Sequence, residues 1–155
     1  MSVTKMLKGH ELFQSLSFEE VEEISTFSSL KEFRRDENVF TSGALGSHFF
    51  VLQEGLVNLR LPAQGHEAGL VIGRVEKGEI FGLAPLLGAG QHKTTAQCAE
   101  ASKVLAIEAE RLRQLLERNA LVGLRVMTVV AQAHFSRYIE TLNRVQKVIN
   151  EIATI

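Results

Sequence analysis

The sequence predicts an α+β fold that is mainly β, with helices at both ends of a glycine-punctuated run of short strands. Ten of the twelve glycines fall between Gly43 and Gly90. There Gly43, Gly46, Gly55, Gly65, Gly78 and Gly88 separate runs rich in Val, Leu, Ile and Phe. Turn signals every ~8–12 residues between apolar segments mark a β sandwich or barrel. The flanks read differently: a helix-capping box stands at Ser17–Glu20, and an apolar heptad repeat follows Asn119.

Taken in chain order, Leu12, Phe13 and Leu16 form a short apolar turn. In the box that follows, the Ser17 hydroxyl can accept from an exposed amide while Glu20 reaches back to the Ser17 amide. Val21, Ile24 and Phe27 or Ser28 then recur at helical spacing, with Glu19, Glu20, Glu22 and Glu23 on the wet side. The run Lys31–Glu37 mixes charge signs and reads as a solvated surface leading into the first strand. Strands are expected at His48–Leu52, Gly55–Leu61, Leu70–Val75, Ala96–Ala99 and Lys103–Ile107. A short helix over Glu108–Leu116 precedes a long one from about Asn119.

That last helix carries the clearest pattern. Leu121, Thr128, Phe135, Leu142 and Ile149 occupy heptad a positions; Leu124, Ala131, Tyr138, Val145 and Ile152 occupy d positions. The stripe outruns a small β domain, so a second copy of the helix is expected to cover it, in a symmetric dimer.

Composition removes several classes of function. The 155 residues carry 17 Lys+Arg against 18 Asp+Glu, a net charge of −1, which offers no pull toward nucleic acid or anionic lipid. One cysteine, Cys98, excludes a disulfide framework and a four-cysteine zinc or iron–sulfur site. No apolar run approaches the ~20 residues that span a bilayer, and the N-terminus has no signal-peptide core. A cytoplasmic protein without a membrane partner is expected. No nucleophile–base pairing is recognisable, so an enzyme is not expected.

The order of these features resembles the cyclic-nucleotide-binding domain, the β-roll module of catabolite activator proteins and of kinase regulatory subunits. Leu12-Phe13, Leu16 and Glu19-Glu20-Val21 look like the family's entry helix. Gly43, Phe49-Phe50-Val51-Leu52 and Gly55-Leu56-Val57 look like its first strands, and Gly78-Glu79-Ile80-Phe81-Gly82 is similar to the opening of its phosphate-binding cassette. The resemblance implies a double-stranded β-helix (a jelly-roll-like β-roll) with N-terminal helices and a long C-terminal dimerisation helix. It further implies a single domain over 1–155, with helices in 1–30, the roll in 31–107 and helices in 108–155. The candidate cassette residues are Gly82, Leu83, Ala84, His92, Lys93, Thr94 and Thr95, with Arg137 and Tyr138 at the distance where family members cap the ligand.

The sequence departs from the family at three places. Leu83 follows Gly82 where a carboxylate would accept from the ribose hydroxyl. Pro85, with no N–H, replaces an amide donor to the phosphate. Either His92 or Lys93 stands where the family places Arg, and neither offers a two-donor fork. Each charge-assisted bond contributes ~1.5–3 kcal/mol, so losing two of them would take a micromolar site to millimolar or worse. These departures argue against cAMP binding through the usual contacts. They leave a cyclic nucleotide held differently, or another small anionic ligand, as the expected occupant.

Other single residues have plainer readings. Cys98 is expected to be a small buried apolar residue, and a haem role pairing it with His92 has no supporting motif. Arg137 can be a solvent-facing charge, and Tyr138, at a d position, is expected to pack in the helix pair. The sequence ends at Ile155, where family transcription factors continue into a helix-turn-helix; from Glu108 to Glu151 seven Arg/Lys face five Asp/Glu, so no DNA binding is expected. The expected function is a non-catalytic regulatory or sensor domain with a degenerate cassette, signalling through its dimeric C-terminal helix to an unknown protein partner. The alternative is a ligand-free dimeric interaction scaffold. Leu83, Leu86 and Leu87 filling the roll would favour the scaffold; an open, polar pocket would favour the sensor.

Overall fold

The computed structural model describes residues 2–63 and 66–154. Helix α1 (Val3–Lys8), a 3-10 turn (Glu11–Phe13) and α2 (Phe18–Thr26) lead into the strands. These are β1 (Ser28–Phe33), β2 (Asn38–Phe40), β3 (His48–Glu54), β4 (Val57–Ala63), β5 (His66–Val75), β6 (Ile80–Phe81), β7 (Thr95–Cys98) and β8 (Ser102–Glu108). Helices α3 (Ala109–Glu117) and α4 (Ala120–Ala153) follow. The capping box at α2 is complete: Glu20 N–H donates to Ser17 Oγ at 3.1 Å and Ser17 N–H to Glu20 Oε1 at 2.8 Å.

The strands pair from the outside inward, β1 with β8, β2 with β7, β3 with β6 and β4 with β5, all antiparallel. The layout is that of one long hairpin wound on itself. Further pairing of β3 with β8 and of β4 with β7 closes it into two four-stranded sheets, ordered β1-β8-β3-β6 and β2-β7-β4-β5. This is the jelly-roll arrangement of a double-stranded β-helix.

Side-chain alternation along the first sheet explains why its central strands read as unbroken apolar runs. Phe49 and Val51 of β3, Ile80 of β6, and Leu105 and Ile107 of β8 face the helices. Their neighbours Phe50, Leu52, Phe81, Val104 and Ala106 face the inside of the roll, with Val57, Leu59, Ala96 and Cys98 opposite. A sheet covered on both faces has no polar alternation to show. On the helix side Leu7, Phe13, Ile24, Leu112, Leu115 and Val126 complete a second core.

All five expected strands are present, extended by a residue or more or shifted by one or two. Three strands lie outside those expectations. The Lys31–Glu37 run is not simply a wet approach: its first half belongs to β1, with Lys31 opposite Val104 and Glu32 opposite Lys103. As an edge strand, β1 keeps its charges in solvent, so its composition hides its pairing. Helix α1 was likewise not anticipated; Ser2 caps it, its Oγ accepting from Lys5 N–H at 3.2 Å. Gly65, one of the punctuating glycines, lies outside the described residues.

Helix α4 has 34 residues, ~51 Å of helix, and begins where Asn119 Oδ1 accepts from Val122 N–H. It has two separate apolar faces. Val122, Val126 and Val130 pack into the helix-side core. All ten heptad a and d residues are exposed on the same protomer, from Leu121, 59% exposed, to Ile152, 64% exposed. Among the described residues no helix is long and apolar enough to cross a membrane.

Candidate functional site

The site is built around the turn that follows β6. Gly82 has φ +67°, and a Cβ there would stand 2.8 Å from Phe50 Cδ2 and 2.9 Å from Phe40 Cε2. Only glycine gives the chain room to turn over this aromatic cluster, in which the Phe50 and Phe81 ring centroids are 5.4 Å apart. Leu87 N–H then donates to Leu83 O at 3.0 Å and Ala89 N–H to Ala84 O at 2.9 Å, winding one short turn. Pro85 sits inside that turn and contributes no N–H.

The opposite wall is a pinned loop. Gly43 N–H donates to His92 O at 2.7 Å, His92 N–H to Ala44 O at 3.1 Å and Gly46 N–H to Gly90 O at 2.9 Å. The Ser42 hydroxyl donates to Lys93 O at 3.1 Å. The His92 ring, 4% exposed, lies flat on Phe40 with centroids 3.9 Å apart and planes 16° apart. Burial pushes His92 below the ordinary histidine value, so the imidazole is neutral near pH 7. Of the two residues at the expected Arg position, His92 is therefore a stacked neutral ring and Lys93 is the exposed cation.

The third wall comes from α4. His134, Arg137, Tyr138 and Thr141 recur at the spacing of one helix face and turn toward the roll. Arg137 Nη1 donates to Ile80 O at 2.9 Å, and the Thr141 hydroxyl donates to Ile72 O at 3.1 Å. Arg137 is thus not a free surface charge but a half-buried tie between helix and roll. Burial draws its guanidinium below the ordinary value, opposed by Glu79 and Glu140. Tyr138, 53% exposed, serves two surfaces, the heptad stripe and this wall.

Together the three walls enclose a cavity of about 380 Å3. Of the sequence candidates, Gly82, Leu83, Ala84, His92, Lys93, Thr94, Arg137 and Tyr138 line it. Thr95 does not: its Oγ1 accepts from Ser42 N–H at 3.0 Å and holds the loop instead. Phe40, Leu59, Ile72, Gly73, Ala89 and Thr141 also line the cavity without having been singled out in the sequence. Leu87, named above as a possible filler of the roll, and His134, which the sequence places with Arg137 and Tyr138 on the long helix, line it too. Thr141 was recoverable, since it stands four residues after Arg137 on the same helix face. Leu83 and Leu86 are buried on the helix side and Leu87 is 49% exposed, so none of the three fills the roll. Cys98 is buried inside the roll, where burial raises its thiol above the ordinary value. Among the described residues no group of three or more His, Cys, Asp or Glu could hold a metal ion.

The neutral state of His92 has a measurable consequence. A histidine whose folded-state value is depressed binds its proton more readily in the unfolded chain. Its stabilising contribution is therefore full above the ordinary histidine range and falls as the pH drops toward the folded-state value. His48, depressed by burial and by Lys31, acts in the same sense. Unfolding midpoints are expected to fall between pH 7 and pH 5, and to fall less in His92→Phe, which keeps the ring on Phe40. An equal acid loss in the variant would show that His92 does not contribute.

The sequence profile of the cyclic nucleotide-binding domain matches residues 30–119. The chain is 36% identical over 98 residues to a cAMP-dependent protein kinase regulatory subunit from Mycosarcoma maydis, covering 63% of this chain and 18% of that protein. It is 28% identical over 127 residues to the cyclic AMP receptor protein of Thermus thermophilus, covering 81% of this chain and 58% of that protein. The chain thus spans less than two thirds of the length of either curated relative. A crystal structure from Geobacter metallireducens, described as a cyclic nucleotide-binding protein, superposes with a TM-score of 0.76 at 26% identity, over 89% of this chain and 99% of that one.

Proposed function

Because the chain belongs to the cyclic nucleotide-binding domain family, we propose that residues 1–155 work as one non-catalytic sensor unit whose ligand sets the position of α4. In this reading the helices of 1–30 and the roll of 31–107 form the receptor, and the helices of 108–155 carry the signal. The α4 helix pairs with that of a second copy in a homodimer, and a protein partner, as yet unidentified, reads its position. The reading also takes the protein as cytoplasmic, engaging neither DNA nor membrane.

The observation that carries this is the cavity: it stays open, although its walls are largely apolar rather than polar as expected of a sensor, and α4 closes one side of it. Arg137 and Thr141 hold the helix to the backbone carbonyls of Ile80 and Ile72, on strands that border the same space. A ligand that favours one arrangement of these ties biases the helix, and it can do so only through a difference in affinity for the two arrangements. The relatives named as a kinase regulatory subunit and a cyclic AMP receptor support a regulatory role. The exposed heptad residues support pairing of α4. The scaffold reading draws on the same stripe and on Leu83 and Pro85, and it calls for no ligand.

Thermal unfolding separates the two. A ligand at ~100 times its dissociation constant adds ~2.7 kcal/mol, a rise of ~5–11 °C for a domain of this size. With millimolar cAMP, cGMP, a cyclic dinucleotide and small carboxylates, at least one is expected to raise the midpoint. The rise should vanish in Gly73→Leu. Gly73 lines the cavity, and a Cβ there meets Leu59 Cδ1 at 3.6 Å and Arg137 Cδ at 3.9 Å, ordinary contacts from which a longer side chain fills the space. No rise with any of them would sink the sensor and favour the scaffold.

A further inference from the structure

The walls of the cavity are chemically one-sided. Apolar side chains such as Phe40, Leu59, Ile72, Leu83 and Leu87 dominate the surface, and no Asp, Glu, Asn or Gln is among the described residues that line it. A sugar hydroxyl or an exocyclic amine buried there would find no carboxylate or side-chain amide oxygen among the described lining residues, and one left unpaired costs ~1–3 kcal/mol. Leu83 cannot be exchanged for water by a simple rotation: it is 7% exposed and packs into the helix-side core. The Thr141 hydroxyl is committed to carbonyl oxygens of Ile72 and Arg137.

The charge is one-sided too. The wall carries Lys93 and Arg137 with no carboxylate among the described lining residues. Arg137 is already engaged with Ile80 O and compensated by Glu79 and Glu140. Lys93 is exposed at the cavity, and among the described residues no ion pair engages it. The stacked Phe40–His92 pair offers a flat neutral surface beside it. One uncompensated cation next to a largely apolar space is complementary to one anionic group on an apolar body.

Building on the sensor reading above, we infer that the cavity takes an apolar monocarboxylate, an aromatic or aliphatic acid, in place of a cyclic nucleotide. The carboxylate meets Lys93 at the loop, and the ring or chain lies among Phe40, Leu59, Ile72 and Leu83. The departures at Leu83, Pro85 and Lys93 are then one coherent change of ligand class. Each removes a contact that suits a sugar phosphate, and Leu83 adds one that suits a hydrocarbon.

The test is isothermal titration of the full chain with 1-naphthaleneacetate, its neutral amide 1-naphthaleneacetamide, decanoate and cAMP, in wild type, Lys93→Ala and Gly73→Leu. An acid is expected to bind one per chain, with its neutral counterpart ~10-fold or more weaker. Lys93→Ala, at an exposed position that does not bear on folding, should weaken the acid ~10-fold while leaving the amide unchanged. Gly73→Leu should abolish binding, and acid affinity that survives in it would put the ligand elsewhere and overturn the inference. Equal binding of acid and amide, or cAMP binding more tightly than either acid, would also overturn it while leaving the sensor reading intact. Failure of every ligand, cyclic nucleotides included, would take the sensor reading down as well.

Discussion

Glutamate at both Leu142 and Ile149 is expected to leave the protein monomeric at concentrations where the wild type sediments as a dimer. Both are a positions of α4, 44% and 52% exposed on the isolated protomer, and neither belongs to either core. Their replacement should therefore leave the unfolding midpoint of the protomer nearly unchanged. Across a symmetric helix pair the two changes place four carboxylates on a seam of Leu, Val and Ile. Truncating a central interface anchor costs ~2 kcal/mol or more, so the dimer dissociation constant should rise by more than ~10^4-fold. Analytical ultracentrifugation reads both halves of this expectation. A wild type that sediments as a monomer at tens of micromolar would remove the helix pair from the proposed function.

Gly82→Ala should destabilise the roll through its backbone and its packing together. The residue has φ +67°, and the added Cβ meets Phe50 and Phe40 at under 3 Å. A left-handed backbone costs an L residue ~1–2 kcal/mol, and crowding a packed core adds ~1–3 kcal/mol. The loss expected from chemical denaturation is thus ~3 kcal/mol, a large part of the ~5–15 kcal/mol typical of a domain. Gly78→Ala supplies the control. Its φ is +89°, but nothing lies within 4 Å of a Cβ there, so only the backbone cost of ~1–2 kcal/mol applies. Equal losses in the two variants would show that the aromatic cluster yields and that φ alone makes glycine necessary.

The parts of this molecule that could be read from its sequence are those where one local rule decides. The capping box places α2, and the short, turn-bounded run Phe49–Leu52 suits a strand covered on both faces. β1 escaped because an edge strand may stay polar, and β6 because its two residues, Ile80 and Phe81, hide inside a motif that reads as a turn. The same division holds at the site. Gly82–Ala84 and His92–Thr94 are contiguous and follow a recognisable spacing. Phe40, Leu59 and Ile72 come from three separate strands, and which way each side chain points depends on a register that no local pattern states. Tyr138 was assigned to the helix pair by its heptad position, yet a helix residue between two faces can serve both. Thr95 shows the limit of spacing: the hydroxyl is where a ligand contact was expected, but the backbone of Ser42 takes it first.

The outside-in pairing of the strands also dictates the order in which the chain can acquire its shape. Of the four outside-in pairs, β4 and β5 are neighbours in the chain, whereas Ser28 must find Ile107 and Phe33 must find Ser102. Closing such distant ends costs chain entropy before any contact returns it, and topologies of this kind fold in milliseconds to seconds. On the ribosome, the β4–β5 hairpin can form early, but the first sheet stays open until β8 has emerged. Until then the apolar faces of β3 are bare, and this interval is when the nascent chain is most exposed to aggregation.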